Sequence, residues 1–172
     1  RSVLDTPMRF DLERGLRRML EDAGYQASTI REMPVSPGGK DILLDDPTLP
    51  VRLTIPRPWK IQRTAHLVQG AQAIVTCNVF TANGSWNGKG FAQGLAYTDM
   101  INLLSGGTLS HTVMAFLPWC AGKGIASVFG LAPGTPIILW HELNYGIQDT
   151  LLCESVVAFN PKFVTLRALH RW

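Results

Sequence analysis

Glu154 is the residue of this chain best placed to do chemistry. It lies in Leu151-Leu152-Cys153-Glu154-Ser155-Val156-Val157-Ala158-Phe159, a run that is otherwise apolar or nearly so. A carboxylate in such a run has to be paired, protonated or at work, because an isolated buried charge is strongly unfavourable. Its counterpart is Arg63, in the alternating stretch Trp59-Lys60-Ile61-Gln62-Arg63-Thr64-Ala65-His66-Leu67. If both side chains point inward, they flank one cavity. A guanidinium fork grips a carboxylate through two parallel bonds, and a desolvated carboxyl can pass a proton to a leaving oxygen. The alternatives are a structural ion pair, or an Arg63 that faces solvent. Arg63 and Glu154 are therefore the candidate catalytic residues.

Other motifs fall short of the chemistry they suggest. His141-Glu142 begins like H-E-x-x-H, in which two histidines one helical turn apart share zinc. Position 145 is Tyr, and the segment is strand-like. Pro118-Trp119-Cys120-Ala121-Gly122 resembles the nucleophile region of cysteine amidases, but Gly122 and Gly124 weaken the helix that would activate the thiol. Gly84-Ser85-Trp86-Asn87-Gly88-Lys89 has three residues between its glycines where a phosphate loop has four. His66, His111 and His170 share no ligand spacing. No nucleic-acid signature is present.

The elements that must position the pair follow from periodicity. Residues 8–23 predict a helix, with Met8, Leu12, Leu16, Met19, Leu20 and Ala23 on one face, Thr6-Pro7 opening it and Gly24 closing it. Strands are predicted at Tyr25 to Met33, Val51 to Ile55, Ile61 to Val68 and Ala71 to Ala82, with a short one possible at 42–44. Gln69-Gly70 and Asn83-Gly84 are the turns, and Phe91 to Tyr97 the returning strand. Helices are predicted from Asp99 to Leu104 and Leu109 to Leu117, while Ile125 to Phe129 reads either way. A hairpin joined around Gly146 ends the fold, its halves running Thr135 to Trp140 and Leu151 to Phe159. The loop from Pro34 to Pro50 is either a functional cover or a connector. The sum is one α+β domain over 1–172, a single antiparallel sheet with helices on one face and an enclosed ligand pocket.

Composition bounds the classes. Hydrophobic residues make up 46% and charged residues 17% of the 172, which leans toward a pocketed or oligomeric fold. A net charge of +3 is too mild to argue for nucleic acid. Arg9, Arg14, Arg17 and Arg18 form the one basic cluster, which reads as a solvated helix face. Cys77, Cys120 and Cys153 stand in apolar contexts without a C-x-x-C, as reduced buried thiols of a cytoplasmic protein. No stretch is long and apolar enough to span a membrane. The chain begins at Arg1, so a trimmed targeting segment stays open.

Four stretches resemble, in order, the chorismate pyruvate-lyases and the related UTRA ligand-binding domains of bacterial transcription regulators. Leu20-Glu21-Asp22-Ala23-Gly24 leading into Thr29-Ile30-Arg31-Glu32 is similar to the lyases' helix, glycine and strand opening. Arg63 followed by Leu67-Val68-Gln69-Gly70 is similar to the arginine strand and its turn. Gly130-Leu131-Ala132-Pro133-Gly134-Thr135-Pro136 resembles the lead-in of the regulator domains. Leu151-Leu152-Cys153-Glu154 resembles the strand carrying the lyase glutamate. The departures are a turn reading Gln-Gly-Ala-Gln without its acidic residue, Cys77 and Asn78 where a second arginine is common, and Trp140-His141-Glu142 where a basic pattern is common.

The resemblance implies a six-stranded antiparallel sheet and a cofactor-independent site. Arg63 would clamp a small-molecule carboxylate, and Glu154 would act as the acid that expels pyruvate from an aromatic precursor. Three readings follow: a lyase of this type, a non-catalytic small-molecule-binding domain on the same scaffold, and an assembly subunit, such as a homo-oligomer, whose apolar surface includes Trp59, Trp86, Trp119, Trp140 and Trp172.

Overall fold

A computed structural model describes residues 15–35, 41–57, 59–81, 89–92 and 94–165. Helix α1 (Gly15–Asp22) is followed by strands β1 (Ala27–Arg31), β2 (Trp59–Val68) and β3 (Ala71–Thr81). Then come α2 (Tyr97–Ser105), β4 (Leu109–Cys120), α3 (Lys123–Phe129), β5 (Pro136–Gly146) and β6 (Leu151–Phe159). The strands form one antiparallel sheet in the order β1-β2-β3-β6-β5-β4. This is the expected α+β architecture. The final strand β6 inserts between β3 and β5, so Glu154 lies in the middle of the sheet.

Local chemistry explains the elements. Gly24, at φ 89°, ends α1 with paired bonds from its own N–H to Glu21 and from Tyr25 N–H to Leu20, a left-handed close that glycine adopts without strain. Gln69 (φ 50°) and Gly70 (φ 82°) make the tight β2–β3 turn, in which both central residues take positive φ. The predicted opening of the first helix at Thr6-Pro7 lies outside the described residues, as do Asn83-Gly84, most of the glycine-lysine loop, Arg9, Arg14, Trp86, His170 and Trp172.

Antiparallel partners project to the same face. One face carries Ile61, Arg63, Val75, Cys77, Val79, Glu154 and Val156. Against it pack α3, through Ile125, Ala126 and Phe129, and the segment 41–57, through Leu43, Leu44 and Ile55. The other face holds Ile74, Trp140, Val157 and Phe159 under α1, and Phe80 and Cys153 under Met100, Ile101 and Leu104 of α2. The expected one-sided helices are thus α1 and α2, while α3 shares the opposite face with segment 41–57.

Several expectations are corrected. Leu109 to Leu117 is strand, not helix: its β-branched and aromatic residues pair with β5 along their whole length, and a short apolar run does not reveal its period by itself. Residues 42–44 and Val51 to Ile55 form no strand; Pro47, Pro50 and Pro56 remove ladder donors around them. Phe91 to Tyr97 shows no strand among its described residues, and Tyr97 opens α2. Cys120 is exposed, unlike Cys77 and Cys153. Trp59, Trp119 and Trp140 are buried, so these three offer no apolar surface for assembly.

Candidate functional site

Glu154 is fully buried, and its carboxylate is closely held. Oε2 accepts the backbone N–H groups of Thr54 at 2.7 Å and Ile55 at 3.0 Å. Oε1 lies 2.8 Å from Nε2 of His141, which donates in the Nε2-protonated tautomer. The sheet register builds this pair: His141 is opposite Val156 and Glu154 opposite Leu143, so the two side chains are diagonal neighbours on one face.

Arg63 projects from the same face. It pairs with Cys77, which pairs with Val156. Arg63 and Glu154 are thus two strands and one rung apart, roughly 12 Å between Cα atoms from sheet spacings. Each is satisfied locally. Arg63 Nε donates to Oδ2 of Asp41 at 2.5 Å and Nη1 to Oε2 of Glu32 at 3.3 Å. Asp41 is buried, and its Oδ1 also accepts the N–H groups of Leu43 and Leu44 at 2.9 and 2.8 Å. Burial works to lower the Arg63 pKa, but the hydrogen bond and charge of Asp41 outweigh it and the net shift is upward. Burial, reinforced by Asp41, pushes the Cys77 thiol well up and keeps it protonated.

Segment 41–57 therefore crosses this face as a strap, fixed near one end by Arg63 and near the other by Glu154. Two glycines seat it. A Cβ on Gly122 would stand 1.7 Å from Asp46 Oδ2, and one on Gly124 would stand 3.2 Å from the Ile42 carbonyl oxygen. Trp119 Nε1 donates to Thr48 Oγ1 at 3.1 Å, and Trp59 Nε1 to the Ile55 carbonyl at 2.8 Å. Beside the strap a cavity of about 1040 Å³ opens between residues 41–50 and the β4–α3 junction. Trp119, Ile137, Pro118 and Pro136 line it, with Asp41 and Lys123; Arg63 and Glu154 do not.

The opposite face carries a polar row. Gln62, Asn78, Ser155 and Glu142 are successive partners across four strands, all buried. Asn78 Nδ2 donates to Gln62 at 2.8 Å, and Ser155 Oγ to Asn78 at 2.7 Å. Tyr97 of α2 donates its hydroxyl to Glu142 at 2.7 Å and receives Asn144 Nδ2 at 3.2 Å. Burial raises the Glu142 carboxyl, and the bonds from Tyr97 and Asn144 only partly offset it.

His141 and Glu142 thus point to opposite faces of β5, and no cluster of three metal-ligating side chains occurs among the described residues. Cys120 pairs with Pro136, on the face opposite His141, so the thiol and the imidazole do not meet. The sequence reading missed His141 and Asp41. The first was legible once the hairpin was registered on the turn after Gly146. The second lay in an irregular loop with no period to place it.

No family model matches the sequence, and no curated protein matches it. Solved structures do. The effector domain of PhnF from Mycobacterium smegmatis superposes with a TM-score of 0.67 at 14% identity, over 97% of this chain and 100% of that one. The C-terminal domain of the histidine utilization repressor from Pseudomonas syringae pv. tomato gives 0.61 at 9% identity, over 86% of this chain and 100% of that one. The ligand-binding domain of a protein assigned to the GntR family of transcriptional regulators in Bordetella bronchiseptica gives 0.58 at 9% identity, over 85% and 91%. At these identities the likeness is one of fold. The chain shares the fold of these effector and ligand-binding domains. No helix among the described residues is long and apolar enough to cross a membrane.

Proposed function

We propose that this chain is a non-catalytic small-molecule-binding effector domain, with its ligand site on the sheet face beneath strap 41–57. The observation that carries this reading is the end-to-end fold match to the PhnF effector domain, spanning 97% of one chain and all of the other. The state of Glu154 supports it. Its oxygens accept two backbone N–H groups and face His141 Nε2, so the carboxylate serves as an anchor that reads donors. Arg63 is the group for a ligand carboxylate. A cytoplasmic location, and a role that needs no contact of this domain with nucleic acid or membrane, go with the reading.

Thermal-shift titration against a panel of small carboxylic acids tests it. At least one acid raises Tm in a concentration-dependent way, and Arg63→Gln removes that rise. A panel that leaves Tm unmoved overturns the reading.

A second proposal keeps one specific support, the shared face of Arg63 and Glu154. In it the pair acts on chorismate or a related enol ether as the lyases do. Incubation with chorismate, assayed for 4-hydroxybenzoate and pyruvate, separates the two. Turnover lost in Glu154→Gln with ligand binding retained supports catalysis; no turnover leaves binding.

A further inference from the structure

Asp41 is common to the cavity beside the strap and to the guanidinium of Arg63. It is among the residues that line the cavity, and its carboxylate, buried from solvent, holds Arg63 Nε. We propose that Asp41 is a built-in competitor: it occupies the cation that a ligand carboxylate takes, and the ligand is a small carboxylic acid with an apolar body that enters through this cavity and displaces Asp41 from Arg63. The inference rests on the effector-domain reading above and adds to it the regulation of the site and the shape of its ligand.

Three observations carry it. The first is that the Asp41 side chain is only 1% exposed and sits on a cation 22 positions away in sequence. It therefore already shows how this site receives a carboxylate. Glu32, 3.3 Å from Nη1, keeps Arg63 partnered while Asp41 is exchanged for another acid.

The second concerns what fastens the strap. Its backbone-to-backbone bonds among the described residues are internal turns: Asp45 to Asp41, Asp46 to Leu43 and Leu49 to Asp46. It joins no strand of the sheet. It is held by Asp41 on Arg63, the Thr54 and Ile55 N–H groups on Glu154, Thr48 under Trp119, the Ile55 carbonyl under Trp59 Nε1, and the packing of Leu43, Leu44, Leu49, Val51, Leu53 and Ile55. Segments fixed by side-chain contacts without a strand ladder open locally at lower free energy than paired strands.

The third is the chemistry of the cavity wall. Trp119, Ile137 and the flanking prolines offer apolar contact, Asp45, Asp46 and Lys123 stand on the same wall, and Asp41 is the lining residue that holds Arg63. An acid with a branched aliphatic or aromatic body suits that arrangement, whereas a highly polar anion leaves the wall unused.

The test uses 4-methylpentanoate as probe, acetate as the head group alone and 4-methylpentanamide as the body alone, measured by isothermal titration calorimetry. Asp41→Asn removes the competitor. Gly122→Ala expels the Asp46 carboxylate that is seated against Gly122 and so loosens the strap there, while leaving both Asp41 and Arg63 in place. The parent domain binds the acid weakly, because its competent state is thinly populated. Both variants bind at least ~10-fold more tightly, since apparent affinity scales with the competent fraction.

Adding Arg63→Gln abolishes the gain, and the amide does not bind. Equal affinity in parent and both variants, or a gain that survives Arg63→Gln, overturns the proposal. Should Asp41→Asn lose its fold by circular dichroism, Gly122→Ala decides alone. A parent that binds acids with no gain in either variant sinks the competitor and leaves the effector domain standing. If no protein binds and the acid panel also leaves Tm unmoved, both fall.

Discussion

The two faces of the sheet each bury a glutamate, and they satisfy it by opposite means. Glu154 is held by backbone N–H groups of a strap without regular structure, and by a histidine whose side chain is 18% exposed. Glu142 is held by Tyr97 of α2, within a row of strand-borne polar side chains. Opening the first face moves the strap, which has no ladder of its own, and takes Leu43, Leu44 and Ile55 out of the core. Opening the second requires α2 to lift, with Met100, Ile101 and Leu104 leaving the core. A buried charge under a loosely fastened cover suits exchange with a ligand, whereas one under a packed helix suits structure.

The largest effect should come from breaking the exchangeable side. Glu154→Leu leaves two buried backbone N–H groups and His141 without their acceptor. It is expected to lower stability by about 4 kcal/mol, as removal of one partner from a buried pair does. Urea denaturation followed by tryptophan fluorescence reads it, because Trp59 is bonded to the strap at Ile55. Glu154→Gln keeps an acceptor for the two N–H groups and should lose far less. Equal losses for Leu and Gln would mean that charge, not the strap's hydrogen bonds, dominates this face.

On the helix-covered face, His66 sets a pH dependence. It is buried beside Thr29, with Oγ1 2.9 Å from its Nδ1. Burial, and then the charges of Arg31 and Arg17, lower its pKa from 6.5 to about 4. The native state therefore refuses a proton that the unfolded chain accepts. Stability is fully present above 6.5 and falls as pH drops toward about 4, by about 3 kcal/mol in all. Glu142 works in the opposite sense: its carboxyl is raised in the native state, so it adds stability as pH falls. Equilibrium unfolding of the parent and of His66→Gln across this range separates them; the fall should vanish in the variant. A fall that persists would assign it to other groups.

Much of this fold was legible in sequence, and the parts that were not share a cause. The β2–β3 hairpin was fixed by Gln69-Gly70 and by alternation on both sides. The last hairpin was fixed by its apolar halves around Gly146. Leu109 to Leu117 was misread because an uncharged edge strand with weak alternation looks like a buried helix. For the candidate site, the burial of Glu154 could be read from its neighbours, since a lone acid in an apolar run announces itself. Arg63 could be placed on a strand but not assigned a partner. Its partner Asp41 lies in a segment shaped by prolines and by a close approach to Gly122, contacts that leave no period in the chain. His141 was passed over because its pairing with Glu154 depends on register, which a one-residue slip would reverse.

A smaller effect should come from trimming the sealed face without opening it. Tyr97→Phe removes a hydroxyl that donates to Glu142 and accepts from Asn144, and leaves the ring in place. A loss of about 1.5 kcal/mol is expected, the scale for a buried hydrogen bond to an acidic group. Ligand affinity on the strap face should be unchanged. If it moves with the stability, the two faces are coupled through the sheet.

The smallest effect tests whether the strap is held by its buried anchors or by its surface. Arg57 pairs with Asp45 at 2.8 Å and lies over the Trp59 ring at 4.3 Å, but its side chain is 64% exposed. Exposed ion pairs and cation–π contacts contribute little because water screens them. Arg57→Ala should therefore cost about 0.5 kcal/mol, and the difference should shrink further in 1 M salt. Hydrogen exchange at Thr54 and Ile55 gives the sharper reading. If the strap hangs on Glu154 and Arg63, those two amides stay as protected in Arg57→Ala as in the parent and lose protection in Asp41→Asn. Deprotection in Arg57→Ala would move the latch from the buried face to the rim.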